Sequence, residues 1–365
     1  MALRPPRAPR FFLLVILTAL LLPRVAAAHP VPFTYLDLRL TPDALEGSLV
    51  VHIFDLGHDL NIDPAERLLD PAIAAQQAAA IAKLFDGRLT LAADGVTLTP
   101  QWSSAQVVAD RASVKLSLRY ALTRAPGTVT ITASMFPYDP QHQTFLNIYE
   151  GSALTQVILD AGRTRFEYFA GTMRGTAAVV RRFLPAGIAH ILIGPDHLLF
   201  LVGLLLLGGT TRQLVVLVTS FTVAHSITMS LAALNVISPP ARLIEPAIAL
   251  SIVYVGADNQ LIRDGRDVRA LIAGAFGLIH GFGYANVLRE TELPARALKW
   301  ALISINAGVG IGQLLAVAVV AAALAALRAR NEAAGQRFAY AGSIVVMAAG
   351  AFWFVQRVFF PGGFS

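Results

Sequence analysis

The feature that most constrains this chain is a series of six apolar stretches in its second half, each about long enough to cross a bilayer. About 20 apolar residues span the roughly 30 Å hydrocarbon core as a helix, because a helix satisfies its backbone hydrogen bonds internally. The stretches end at turn or charged residues and cover 183–208, 212–237, 241–262, 268–288, 296–327 and 337–360. The second half is therefore predicted to be an α-helical membrane bundle of about six transmembrane helices.

The first of these stretches contains a sequence that interrupts a helix. Pro195 lacks a backbone N–H and clashes inside a continuous helix, but it suits the first turn of a new one that follows Gly194. The segment from Pro195 to Gly208 would be only about 21 Å long as a helix, which is too short to cross alone. We therefore expect the first span to break inside the membrane, where irregular backbone is tolerated if it lines an enclosed cavity.

Ionisable side chains lie within these apolar stretches, where a charge costs several kcal/mol, so they are expected to face the bundle interior and serve a site or path. The chain has no cysteine, which rules out thiolate metal sites. Nitrogen and oxygen donors without sulfur suit a borderline divalent metal ion. The candidate metal ligands are His190, Asp196, His197, His225, Glu245, Asp258 and His280.

The helical rise predicts how deep these residues lie. Three imidazoles fall roughly 18–21 Å from the ends of their spans, near the midplane, and are expected to form a central site with Asp196: His197, His225 and His280. His190 and Glu245 lie shallower and are expected to form an outer acceptor. Asp258, with Asn259, lies about 20 Å further along the third span and is expected to form an inner exit. A simpler alternative is that Asp196 only caps the new helix.

The first half of the chain has a different pattern. Three arginines precede about a dozen apolar residues and an Ala-x-Ala sequence that ends at Ala28, which is typical of a signal peptide. Short alternating segments separated by Gly, Pro and Asp favour an antiparallel sandwich, with one helix at 71–85. The predicted strands cover 35–40, 48–54, 88–91, 95–99, 113–120, 127–133 and 156–159. The predicted domains are a signal peptide (1–28), a mostly β exported domain (29–175) and a transmembrane domain (176–365).

The exported domain contains the remaining histidines. His29 would become the new N-terminus and could chelate Cu²⁺ or Ni²⁺, although this position can equally be a coincidence of cleavage. His52, Asp55, His58 and Asp59 lie close together, and Asp139 precedes His142 by three residues. These residues either contribute further metal ligands or form a solvated turn, and the sequence leaves both interpretations open.

The signal peptide predicts the orientation. It places the exported domain on the periplasmic or extracellular side of an inner (cytoplasmic) membrane that the chain crosses several times. The cytoplasmic loops then hold more arginine than the outer loops, but this bias disappears when Arg181, Arg182 and Arg357 are counted as outer flanks. The net charge of +6 comes from scattered arginines, which indicates contact with membrane lipid and no nucleic-acid partner.

The apolar half resembles the HupE/UreJ-type hydrogenase/urease accessory permease family, in its longer branch with an exported N-terminal domain. The similarity covers about 180–360 through His190-x5-Asp196-His197, Phe221-Thr-Val-Ala-His225, Glu245-Pro-Ala-Ile-Ala-Leu-Ser, Gly277-Leu-Ile-His280-Gly-Phe-Gly and Asn306-x-Gly308…Gly312-Gln313. The resemblance implies a nickel or cobalt permease that supplies metalloenzyme maturation proteins, with the His/Asp motif as a metal contact. It also implies Glu two residues after Gly308, where this chain has Gly310.

The chain is therefore expected to be a permease, not an enzyme, for a divalent transition-metal ion. Nickel or cobalt comes first, and copper or zinc stays open because nitrogen sites generally favour copper. The metal is cargo, so no permanently bound cofactor is expected, and no Walker A sequence for ATP is present. The alternatives are a membrane b-haem electron carrier with His axial ligands, an intramembrane metallohydrolase, which lacks His-Glu-x-x-His, and a non-transporting assembly or anchor subunit.

Overall fold

The computed structural model describes residues 33–261, 267–284, 288–289 and 291–360, in a β-rich part followed by a helical part. The predicted signal peptide and His29 lie outside the described residues. We call residues 33–169 the β domain and the helices from Met173 onward the bundle.

The β domain contains ten strands in two sheets. The strands are β1 Phe33–Leu40, β2 Ala44–His52, β3 Leu89–Ala93, β4 Val96–Thr97, β5 Gln101–Val108, β6 Ser113–Ala121, β7 Thr128–Ala133, β8 Gln143–Glu150, β9 Ala153–Leu159 and β10 Arg165–Phe169. The sheets have the orders β5-β6-β2-β1-β8-β9 and β10-β7-β3-β4. Alternate residues such as Leu36 in β1 and Ile131 in β7 are buried in one shared core, so the sheets pack as the predicted sandwich.

Two details of the β domain differ from the prediction. The sandwich is not wholly antiparallel, since β1 and β8 run parallel with Leu36 opposite Leu146; the long intervening chain supplies the crossover that a parallel pair needs. The strand predicted to reach Phe54 ends at His52, whose side chain accepts a hydrogen bond from the Phe54 N–H at 3.3 Å and so caps helix α1 (Ile53–Leu60). β5, β8 and β10 were not predicted, whereas α2 (Pro71–Leu84) was.

The bundle contains seven α-helices within the described residues. They are α3 Met173–Ile193, α4 Pro195–Leu205, α5 Thr211–Ala233, α6 Ala241–Asp258, α7 Arg269–His280, α8 Ala295–Arg330 and α9 Glu332–Phe359. Four of them, α3, α5, α8 and α9, are long and apolar enough to cross a membrane. The expected fourth span is much shorter, because α7 ends at His280 and a 3-10 turn over Gly281–Tyr284 follows it.

The predicted break in the first span is confirmed. α3 ends at Ile193, Gly194 is extended with ψ 107°, and α4 begins at Pro195. α3 itself begins at Met173, ten residues before the expected start, because Thr172 caps it by accepting a hydrogen bond from Gly175 N–H at 3.0 Å. The N-terminal half of α3 contacts the β domain, where Arg182 forms an ion pair with Glu167 of β10.

Close helix contacts and two arginines position the broken span. A Cβ on Gly187 of α3 would lie 2.2 Å from the Ile305 carbonyl oxygen, so α3 and α8 approach as closely as glycine permits. At the other end of the span, Arg269 donates to the carbonyl oxygens of Leu204 (3.1 Å) and Gly208 (2.6 Å). Arg328 donates to the Leu206 carbonyl oxygen at 2.6 Å. These cations satisfy the unpaired carbonyls at the C-terminus of α4 and hold that end in place.

Candidate metal centre

Four histidines from four different helices meet inside the bundle. His190 lies in the last turn of α3, His197 in the first turn of α4, His225 in α5 and His280 at the end of α7. The His197 ring centroid lies 4.5 Å from that of His190, 5.0 Å from His280 and 5.6 Å from His225. We call these four residues the histidine cluster.

The spacing of the donor atoms suits a metal ion. One ring nitrogen from each of His190, His197 and His225 lies within 4.8 Å of the other two. Nitrogen ligands about 2.0–2.1 Å from a tetrahedral ion lie roughly 3.3 Å from one another, so small ring rotations would close this group around an ion. His280 contacts His197 ring to ring and would be the fourth donor.

Burial makes the bare nitrogens of the cluster costly. His225 and His280 are fully buried, and His197 is 8% exposed. His197 Nε2, both ring nitrogens of His225 and His280 Nδ1 have no hydrogen-bond partner. A buried polar atom without a partner costs about 1–3 kcal/mol, and a neutral imidazole always carries one N–H. Several such atoms converging at one point are typical of a ligand site.

A serine orients His280 towards the cluster. Ser251 of α6 donates its hydroxyl proton to the Ile248 carbonyl oxygen at 2.6 Å, and its oxygen lies 2.9 Å from His280 Nε2. Because that carbonyl can only accept, the serine oxygen is left to accept from His280 Nε2–H. Nδ1 then carries the lone pair, and such partners on the second ring nitrogen commonly orient metal-binding histidines. Ser251 was not predicted, although it lies in the quoted Glu245-Pro-Ala-Ile-Ala-Leu-Ser sequence.

The predicted grouping of His190 is wrong. His190 was expected in an outer acceptor with Glu245, but its ring contacts His197 and His225 instead. The extended backbone at Gly194 separates α3 from α4. The side chain of His197 then points back towards the N-terminus of its helix, as helical side chains do, and meets His190.

The three predicted carboxylates are not part of the histidine cluster. Asp196 accepts two hydrogen bonds from Arg357 Nη2, at 2.8 and 3.0 Å. The Glu245 side chain is exposed, and its backbone carbonyl oxygen accepts from Arg357 Nη1 at 3.1 Å. Asp258 is buried at the far end of α6, about 20 Å from Glu245 along the helix. None of these carboxylates belongs to the group of metal-donor atoms found among the described residues.

Arg357 is a functional candidate that the sequence reasoning missed. It was treated as a flanking charge, although it falls within the last apolar stretch, where an arginine needs an anionic partner. Its ion pair with Asp196 borders the cluster: the Asp196 carboxylate acts electrostatically on His190, and the Arg357 guanidinium acts on His280. The pair places no net charge beside the imidazoles.

Three phenylalanines cover one side of the cluster. Each lies one helical turn from a cluster histidine, towards the end of the bundle that Arg269 and Arg328 hold: Phe200, Phe221 and Phe276. The Phe200 ring centroid lies 5.0 Å from that of His280, 5.4 Å from Phe221 and 5.9 Å from Phe276. The rings form a continuous apolar layer. Their spacing of three or four residues from each histidine was the available sequence signal.

Two polar positions beside the cluster connect α5 and α8. The Thr222 hydroxyl donates to the side-chain oxygen of Gln313, so Gln313 links α8 to α5. Gly310, where the family resemblance implies Glu, faces the same threonine. A Cβ at this position would meet only Thr222 Cγ2, at 3.7 Å. A side chain there would point at α5 one turn from His225.

The comparisons with known proteins identify the bundle. A family model described as HupE / UreJ protein matches residues 169–357, which is more than half of the chain. The matched region contains the histidine cluster, the phenylalanine layer and Arg357. No curated protein gave a significant match.

Proposed function

The chain belongs to the HupE/UreJ family, which is associated with nickel or cobalt uptake or an accessory function, and from this premise we propose that it is a membrane permease for a divalent transition-metal ion. Nickel and cobalt are the first candidates, and copper and zinc follow. The observation that carries the proposal is the convergence of four imidazoles, of which His197, His225 and His280 are buried with unpartnered ring nitrogens. Nitrogen donors of this kind suit borderline divalent metals.

The charge around the cluster suits an ion that passes through. Imidazole ligands are neutral, and Asp196 is already paired with Arg357, so a bound dication would keep most of its charge in a region of low dielectric constant. An uncompensated charge there is unfavourable, which prevents very tight binding. A permease needs such moderate affinity, because the ion must also leave.

The phenylalanine layer is the proposed barrier on the inner side of the cluster. An ion held by His197, His225 and His280 would meet the rings of Phe200 and Phe221 next. The layer offers no ligand, so the ion advances only when the rings move and water or a further ligand replaces them. Asp258, at the inner end of α6, is the proposed next contact. Asn259 is a structural residue in this scheme, since it donates to the Gly203 carbonyl oxygen at 2.7 Å.

The proposed direction is inward across the inner (cytoplasmic) membrane, with the β domain on the periplasmic or extracellular side. The apolar helices are compatible with a multi-pass membrane protein, and the predicted signal peptide supports this orientation. Metalloenzyme maturation proteins in the cytoplasm would then receive the ion.

The geometry disfavours the haem alternative. Axial histidines of a haem are separated by the plane of a wide macrocycle. In the cluster, the four rings lie in edge-to-face or tilted contact at 4.5–6.0 Å, which leaves no slot for a porphyrin between them. A purely structural role as an anchor would not require bare imidazole nitrogens in the core.

The test is elemental analysis of the purified, detergent-solubilised protein after exposure to a mixture of divalent metals, with a visible spectrum of the same sample. The proposal expects a retained divalent metal whose amount falls in the His197→Ala variant. A Soret band would contradict it in favour of haem. Equal metal content in wild type and His197→Ala would remove the cluster as the binding site.

A further inference from the structure

A pair of buried side chains of the kind that can bind metal lies in the β domain, far along the chain from the bundle. Asp55 lies in the first turn of α1, and His142 immediately precedes β8. Their side chains are 7% and 4% exposed, and His142 Nδ1 lies 3.8 Å from Asp55 Oδ2. Neither atom has a hydrogen-bond partner. The two atoms face each other at a distance too long for a hydrogen bond.

The His142 ring is held so that this nitrogen points at Asp55. Its other nitrogen, Nε2, lies 3.0 Å from the hydroxyl of Thr34, which is fully buried in β1. The Phe136 ring packs against it edge-on, with centroids 4.7 Å apart. A histidine fixed through one nitrogen, with the other bare and opposite a carboxylate, has the arrangement of a metal ligand with its supporting partner.

The surrounding charge favours a cation. Asp59 is neutralised by Arg88, whose Nη1 lies 2.5 Å from its carboxylate. No Lys or Arg of the described chain lies within ion-pair distance of Asp55 or Asp139. Burial, together with the nearby carboxylates of Asp139 and Asp59, raises the pKa of Asp55 to about 7. A bound dication would supply the missing positive charge.

A cleft borders His142, one member of this pair. A cleft of about 220 Å³ is lined by His142 and Asp139, among other residues. Such a volume holds several waters. The cleft therefore brings water up to His142, whereas Asp55 is not among the residues that line it.

We propose that His142 Nδ1 and Asp55 Oδ2 form a second binding site for a divalent transition-metal ion, in the β domain, with Asp139 at its entrance. One imidazole and one carboxylate select the same borderline metals as the bundle, and two protein ligands leave the ion exchangeable. The binding site stands on its own geometry. Its use as a capture site for the bundle rests on the proposed function.

The test measures Ni²⁺ bound to the full-length protein in detergent by equilibrium dialysis and elemental analysis. The background is His197→Ala, which weakens the bundle site. Asp55→Asn and His142→Gln are each added to this background. The matched control is His58→Gln, which changes a histidine on the same helix whose side chain is 65% exposed.

The proposal expects the background protein to retain Ni²⁺, the His58→Gln control to retain the same amount, and both site variants to lose it. Asp55→Asn preserves shape, so it decides the matter if His142→Gln misfolds by circular dichroism. Equal Ni²⁺ content in the control and Asp55→Asn would overturn the second site, as would a background that binds none. If the bundle site does not bind Ni²⁺, wild type and His197→Ala will retain equal amounts. That result distinguishes a failure of the bundle site from a failure of the second site.

Discussion

The two buried histidine sites of this chain differ in the charge that faces them. In the β domain, His142 faces the Asp55 carboxylate, and no arginine among the described residues forms an ion pair with that carboxylate. In the bundle, His197 faces other imidazoles, and the neighbouring carboxylate of Asp196 is bound by Arg357. One site therefore offers a dication negative charge, and the other offers only neutral donors.

This difference in charge suits the β-domain site to retaining an ion and the bundle site to releasing it. A carboxylate in a region of low dielectric constant attracts a cation strongly, whereas neutral ligands bind it without cancelling its charge. A capture site in the β domain would benefit from this strong attraction. The bundle would gain from release, since an ion bound too tightly at mid-membrane would stop transport.

Removing a bundle ligand is expected to have the largest effect. His197→Ala takes away the imidazole at the centre of the cluster, which contacts the other three rings. Uptake of Ni²⁺ or Co²⁺ into proteoliposomes should fall more than about 100-fold, beyond the 10–100-fold typical of supporting residues. The protein should still insert and purify. His58→Ala is the control, and uptake by His197→Ala equal to this control would contradict the account.

Giving the bundle site the charge of the β-domain site is expected to tighten binding and slow transport. Arg357→Met releases Asp196 from its ion pair, so the carboxylate becomes available to a cation. Metal should bind roughly tenfold more tightly, about 1.4 kcal/mol, and uptake should slow by a similar factor.

The double variant Asp196→Asn/Arg357→Met removes both charges and should return affinity to near the wild-type value. Arg181→Met, which removes an exposed arginine of α3, controls for the loss of a cation. If Arg357→Met binds metal no more tightly than this control, the ion pair does not set the charge of the site.

Loss of the serine that orients His280 is expected to cost about tenfold in metal affinity, the lower end of the range for such partners. Ser251→Ala removes the acceptor of His280 Nε2–H and with it the preference for the form with a bare Nδ1. Ser251→Thr keeps the hydroxyl and should restore affinity. Equal Ni²⁺ dissociation constants for the alanine and threonine variants would show that the hydroxyl does not act through His280.

The smallest effect is expected at Gly310. Glu at this position would point at α5 one turn from His225, where a Cβ meets only Thr222. Gly310→Glu should therefore bind Ni²⁺ a few-fold more tightly, in the direction expected for an added carboxylate near a dication. Gly310→Ala, which adds bulk without charge, should be unchanged. Weaker Ni²⁺ binding by Gly310→Glu than by Gly310→Ala would contradict this prediction.

The sequence predicted the features that depend on neighbouring residues. The break at Gly194 follows from the chemistry of proline, and α2 follows from the alanine-rich sequence that begins at Pro71. The choice of histidines follows from the cost of ionisable groups in hydrocarbon. Each of these arguments needs only the identity of a residue and its local surroundings.

The features that depend on distant residues were beyond such reasoning. Arg357 pairs with Asp196 across 161 residues, and it withdraws a carboxylate that sequence alone assigned to the metal. The parallel pairing of β1 with β8 is set by the packing of the whole sandwich. The grouping of the histidines was predicted from helix depth alone, and it was wrong for His190 because it ignored the direction of the side chains.

Nickel K-edge X-ray absorption on the Ni²⁺-loaded Asp55→Asn protein tests the central claim most directly, because this variant lacks the second proposed site. The account predicts three or four imidazole nitrogens in the first shell, at about 2.1 Å, close to the distances known for zinc. A shell made only of water-like oxygens, or a protein that retains no nickel, would contradict the claim that the histidine cluster binds the transported ion.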